Sequence, residues 1–220
     1  EKSTLMRPNA LGDTTAENDG KMLKEAFVAT ADFRTLIETD DRTVVVGRRG
    51  TGKSALYLAL NTHWKADKKA IVIAFSPDDS DVIGFRSLLK PFSTSFNLAR
   101  ASTRLLWRYA MIMEVARFLK SNYKIAPFVT ADPLVSEHLN RWDSAKGSLL
   151  SKCRSIAKLF LSVDSPEESI GDLSGNLDLS QLESKVLKLL EESDRKAVLL
   201  LDRLDEGYEP DPVGIGIITG

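Results

Sequence analysis

The chain has 220 residues, 43% of them hydrophobic and 28% charged, with 30 Lys and Arg against 31 Asp and Glu. That length accommodates one α/β domain with a substantial core and room for an insertion. A net charge of −1 argues against nucleic-acid or membrane binding driven by bulk electrostatics, and no apolar run approaches the roughly eighteen residues of a membrane span. Its single cysteine, Cys153, cannot form an internal disulfide, and the first residues lack a signal-peptide core. A cytoplasmic protein without a membrane partner is therefore expected.

Residues 1–19 are polar and mixed and predict an N-terminal arm. Residues 20–83 read as the first part of a core. They begin with helical spacing at Met22, Leu23, Ala26, Phe27, Phe33, Leu36 and Ile37, then reach a β-branched run over Thr43–Val46 that predicts a buried strand. A loop over Gly47–Ser54 leads into a helix over 53–63, and Ala70–Phe75 predicts a second buried strand ended by Ser76-Pro77-Asp78-Asp79.

Residues 84–180 read as a mainly helical insertion and linker. Leu105, Tyr109, Ile112, Met113, Ala116 and Leu119 mark one buried helix face, and Leu149, Leu150, Cys153, Ile156, Ala157 and Phe160 mark another. The Ser-, Gly- and acid-rich stretch 162–180 predicts a linker. The core resumes over 181–220, with a helix at Gln181–Glu192 and a strand at Ala197–Leu201 ending in Asp202. The apolar run Val213–Gly220 resembles an element just beginning, so the sequence reads as the N-terminal fragment of a longer protein.

The chemistry concentrates at Gly47-Arg48-Arg49-Gly50-Thr51-Gly52-Lys53-Ser54, a full match to G-x-x-x-x-G-K-[ST] set between a predicted strand and a helix. Glycines let successive backbone N–H groups turn inward toward an anion, and the helix that starts at Lys53, Ser54 and Ala55 adds its positive end. The pattern predicts ATP as ligand, with Lys53 on the β- and γ-phosphates and the Ser54 hydroxyl on Mg²⁺. Arg48 and Arg49 would touch phosphates or a neighbour, or stand as exposed loop residues. No Asn-Lys-x-Asp guanine-reading motif occurs, which favours ATP over GTP.

Asp202, at the C-terminal edge of an apolar strand, is the second expected Mg²⁺ ligand. Asp205 and Glu206 follow, and either supplies a carboxylate able to orient water and accept its proton. Val198-Leu199-Leu200-Leu201-Asp202-Arg203-Leu204-Asp205-Glu206 resembles the acidic motif of the STAND class of signalling ATPases, its NACHT branch especially, although Arg203 stands where those proteins carry a small residue. KAP-type ATPases show a comparable cluster, and the loop is similar to that of bacterial ATPases of mobile-element and anti-phage defence systems.

The resemblance implies a P-loop three-layer α/β sandwich with a parallel central sheet and a large helical insertion. It further implies a slow or partner-stimulated ATPase acting as a nucleotide-driven switch or assembly module in antiviral defence. A homo-oligomer or an effector protein would be its partner, with an arginine supplied from a neighbour or from beyond Gly220. Lys53 and Asp202 are 149 positions apart, which leaves room for the insertion.

Two alternatives compete. Arg100, Arg104 and Arg108 recur every four residues and would align on a helix face, as in a nucleic-acid-dependent motor. Leu173-Ser174-Gly175-Asn176-Leu177 echoes the signature of ABC-type ATPases, but Arg203 stands where those place a catalytic Glu; the bland reading is a flexible linker. His63, His138 and Cys153 lack metal-ligand spacing, and Trp64, Trp107 and Trp142 read as packing anchors.

Overall fold

A computed structural model describes residues 28–39, 44–48, 50–92, 95–160, 166–204, 211 and 214–215. The chain divides into two units, Glu1–Lys68 and Lys69–Gly220. In the first, helix α1 (Ala31–Glu38) is capped by the Thr30 hydroxyl, which accepts from the Phe33 amide at 3.3 Å. Helix α2 (Lys53–Ala66) meets it through an edge-to-face contact of Phe33 with His63, ring centroids 5.9 Å apart. The strand expected at Thr43–Val46 is not observed. Thr43 lies outside the described residues, and Val44, Val45 and Val46 have no regular structure and are exposed. β-Branched side chains favour extended backbone, but a strand needs a ladder partner, and the described part of this unit contains none.

The second unit is built on one parallel strand pair. β1 (Ala70–Phe75) and β2 (Lys196–Leu201) run in register from Ala70 opposite Lys196 to Phe75 opposite Leu201. Between them lie α3 (Asp79–Leu89), a 3₁₀ turn (Lys90–Phe92), α4 (Phe96–Ser121), α5 (Ala126–Ala131), α6 (Pro133–Ser144), α7 (Leu149–Phe160), α8 (Pro166–Asn176) and α9 (Leu179–Glu192). Ala70, Ile71 and Ile73 of β1 are buried but Ala74 is exposed, and Leu199 and Leu201 of β2 are 46% and 41% exposed, so neither strand shows the burial on both faces expected of a central strand.

Helix α4 is the axis of the core and, at 26 residues, spans about 39 Å. Its predicted face is buried at Tyr109, Met113, Ala116 and Leu119, but Ala99, Thr103, Leu106 and Ala110 are buried as well, because helices cover more than one side. Thr103 and Ser102 survive there by donating their hydroxyls to the Ala99 carbonyl, at 2.7 and 3.0 Å. Trp107 packs against Phe75 of β1 and Phe85 of α3, and Trp142 is fully buried against Tyr109. Both act as the anchors the sequence predicts.

The linker expected over 162–180 is corrected in part. Residues 161–165 lie outside the described set, but Pro166–Asn176 is helix α8, and Leu173 and Leu177 of the ABC-like stretch are fully buried. Two leucines four positions apart gave the segment an anchoring face that its Ser, Gly and acid content concealed. Asp132 starts α6 by accepting from the amides of Leu134 and Val135 at 3.0 and 3.1 Å, while Lys185 of α9 pairs with it at 2.6 Å. Burial pushes this carboxyl upward, but the Lys185 and backbone hydrogen bonds outweigh it and hold the group below its ordinary range.

The polar exception in the core is His138. Its Nδ1 lies 3.0 Å from the Tyr109 hydroxyl, and its Nε2 faces the Asp178 carboxylate at 3.6 Å. A neutral ring accepting from Tyr109 at Nδ1 fits both neighbours. Burial, and next the positive charge of Arg141, lower the His138 pKa below its ordinary value. An unfolded chain therefore takes up a proton near pH 6.5 while the folded one still does not, so stability is complete above that pH and declines as pH falls through and below it. In urea unfolding between about pH 7.5 and 5.5, His138→Gln is expected to flatten the decline relative to the parent. Equal slopes would show that this ring does not titrate as described.

Candidate functional site

The loop that precedes α2 is closed by its own side chains. Thr51 turns back on Arg48, donating its amide at 3.3 Å and its hydroxyl at 2.8 Å to the Arg48 carbonyl. Gly50 and Gly52 take φ of +82° and +87°, left-handed values that a side chain would strain. Gly47 is needed for a different reason: a Cβ there would meet the Thr51 Oγ1 at 2.6 Å.

Lys53, the first residue of α2, folds its ammonium back over the loop and donates to the carbonyls of Gly47 at 2.7 Å and Arg48 at 3.2 Å. The first helical bond runs from the Leu56 amide to the Gly52 carbonyl at 2.9 Å, and no side chain caps the helix. The amides of Lys53, Ser54 and Ala55 thus belong to an uncapped first turn at the positive end of a 14-residue helix. Gly47, Arg48, Thr51 and Lys53 are in mutual contact here, and Arg48 is exposed. Arg49 lies outside the described residues.

In the second unit, Asp202 follows β2 and extends the ladder by one bond, its amide donating to the Phe75 carbonyl at 3.0 Å. Its Oδ2 is buried and has no hydrogen-bond partner among the described residues. A buried carboxylate oxygen without a donor is costly, and a hard cation is the kind of group that satisfies it. A serine hydroxyl and a carboxylate are each oxygen donors of the kind Mg²⁺ takes; Ser54 offers the first in one unit and Asp202 the second in the other. Among the described residues no cluster of three or more His, Cys, Asp or Glu forms a metal site built from protein alone.

Arg203 has φ of +60°, the left-handed region. That conformation is disfavoured for a residue with a side chain, so Arg203 carries local backbone strain. Asp205 and Glu206 lie outside the described residues. Downstream, Asp211 pairs with Arg86 of α3 at 2.8 Å and accepts from the Gly214 amide at 2.6 Å. Nothing in the sequence spacing pointed to that tie, since 125 positions separate its partners. The arginine stripe on α4 is partly engaged: Arg108 forms an ion pair with Glu183 of α9, while Arg104 is exposed.

The chain is 62% identical over all 220 residues to the "Putative transposon gamma-delta 80.3 kDa protein" of Escherichia coli (strain K12), and it spans 32% of that protein's length. No family model matches the chain. No solved structure matches it. No described helix is long and apolar enough to cross a membrane.

A methyl group on Gly47 would meet Thr51, so if the loop takes up ATP as its sequence pattern predicts, Gly47→Ala is expected to displace Thr51 and weaken that binding tenfold or more, about 1.4 kcal/mol. Gly47→Ala combined with Thr51→Ala removes the clash and should recover part of the loss in a fluorescent-nucleotide competition. No recovery in the double variant would place the defect elsewhere.

Proposed function

We propose that this chain carries a Mg²⁺-dependent ATP-binding and ATP-hydrolysing core of the P-loop type, in which β1 and β2 belong to a larger parallel sheet. The observation that carries the reading is the loop itself. A lysine at the first helical position lies across the carbonyls of a glycine-rich turn, in front of an uncapped helix start. On ATP binding, Lys53 exchanges two neutral carbonyl partners for charged phosphate oxygens, a stronger hydrogen bond for an ammonium. The amides from Gly50 to Ala55 receive the remaining phosphate charge.

Ser54 of the first unit and Asp202 of the second are the oxygen donors that would hold Mg²⁺, and the ion would supply neutralisation of the charge on the phosphates. Asp205 or Glu206 orients the attacking water. As its oxygen bonds to the γ-phosphorus, the bond to the β-phosphate bridging oxygen breaks, the carboxylate takes the proton, and ADP and phosphate depart. An arginine from a neighbouring subunit completes the charge stabilisation, so isolated turnover is slow and nucleotide state acts as a switch of assembly.

The relative's designation as a transposon protein supports a mobile-element setting in a bacterial cytoplasm, which also fits the buried free thiol of Cys153. Anti-phage defence is the role that the resemblance to defence ATPases adds.

Lys53→Ala is expected to lower ATP hydrolysis by two to three orders of magnitude, roughly 3–4 kcal/mol of transition-state stabilisation, and to weaken ATP binding. Asp205→Ala and Glu206→Ala are expected to keep ATP affinity while one of them abolishes turnover. Phosphate release and equilibrium binding on purified protein measure both. ATP affinity and turnover that survive Lys53→Ala unchanged contradict the proposal.

A further inference from the structure

The near-zero net charge hides a strong segregation. Residues 96–160 contain eleven Lys and Arg against four Asp and Glu, a net of +7, whereas residues 161–220 contain five against fourteen, a net of −9. Four of the eleven basic side chains are paired with acids in place. Arg108 pairs with Glu183, Arg117 with Glu114, Lys120 with Asp143 and Arg141 with Glu137.

Helix α7 differs. From Ala145 to Phe160 the sequence holds Lys146, Lys152, Arg154 and Lys158 and no acid at all. Leu150, Cys153, Ile156 and Ala157 are buried on one side. At 100° per residue, Ser151, Lys152, Arg154, Ser155 and Lys158 fall together on the other. Lys146, Arg154, Ser155 and Lys158 are exposed, and the three cations among them form no ion pair within the described residues. Lys152 instead lies over the Trp142 ring at 5.3 Å. Asp81 of α3 reaches this helix only at its start, accepting from Ser148 and, at 3.4 Å, from Ser151.

We infer that the outer face of α7, with Lys146 before it, is a binding surface for the phosphate backbone of a nucleic-acid duplex. Unpaired cations suit phosphate oxygens, and a 12-residue helix, about 18 Å long, lies along a few successive phosphates. Among the residues from Leu149 to Lys158, none is an exposed large apolar or aromatic side chain, and the cations are what this stretch offers a ligand. Recognition is therefore electrostatic and indifferent to sequence. The site is distinct from the nucleotide loop and from the Arg100–Arg108 stripe of α4.

The test is fluorescence anisotropy of a labelled DNA duplex of about 24 base pairs with the nucleotide-free chain, at about 50 and 200 mM NaCl. Engaging Lys146, Arg154 and Lys158 predicts a log–log salt slope of about −2.7 and a roughly 40-fold loss of affinity between the two salts. Arg154→Gln with Lys158→Gln should weaken binding at least tenfold at low salt and reduce the slope by about 1.8. Arg154→Lys should retain most of the affinity, and Arg104→Gln on α4 should change it less than about twofold. Thermal unfolding followed by circular dichroism confirms that the variants fold. The inference is overturned if the parent chain does not bind at low salt. Equal slopes in the parent and the double variant, a loss in Arg104→Gln instead, or tighter binding to phosphatidylglycerol vesicles than to the duplex also overturn it.

Discussion

Parallel pairing of β1 with β2 is the constraint from which the second unit follows. Two parallel strands cannot be joined by a tight turn, so the chain must leave the sheet at Phe75 and return at Lys196. All the helices from α3 to α9 are that return path. They form a body of their own because α4 gives them a long apolar surface to share, with Leu106, Tyr109, Met113 and Leu119 fully buried along it. Trp107 ties this body back to the sheet through Phe75, so the ladder and the helical core stabilise each other. The same ladder sets Asp202, whose amide bonds to Phe75 one step beyond the strand.

Much of this was legible in the residues. Ala70–Phe75 is a strand because its β-branched run is bounded by polar turn residues, and Leu150, Cys153, Ile156 and Ala157 are buried at the spacing that predicted them. The valines at 44–46 misled for a physical reason. Side-chain preference sets the conformation that a segment favours, whereas a strand exists only where another supplies its hydrogen bonds. The opposite error occurred at Pro166–Asn176, where composition suggested a linker and two leucines made a packed helix.

At the candidate site, the pattern over Gly47–Ser54 named every loop residue that the geometry later used, but not how. That Lys53 would rest on the carbonyls of Gly47 and Arg48, and that Gly47 is demanded by Thr51, are three-dimensional facts. The left-handed Arg203 and the long-range tie from Arg86 to Asp211 lie equally beyond local pattern, since the first is a backbone state and the second joins distant segments. His138 shows the same limit. A lone histidine in sequence carries no signal, yet Tyr109 and Asp178 converge on it from two other places in the chain.

The proposal most open to direct test is that the carboxylate of Asp202, at the end of β2, takes up Mg²⁺ together with ATP. Calorimetric titration of ATP in the presence and absence of Mg²⁺, on the parent chain and on Asp202→Asn, addresses it directly. The account predicts that Mg²⁺ tightens ATP binding to the parent, that Asp202→Asn abolishes most of this gain, and that affinity without Mg²⁺ is the same in both proteins. An equal Mg²⁺ gain in the two proteins would contradict it.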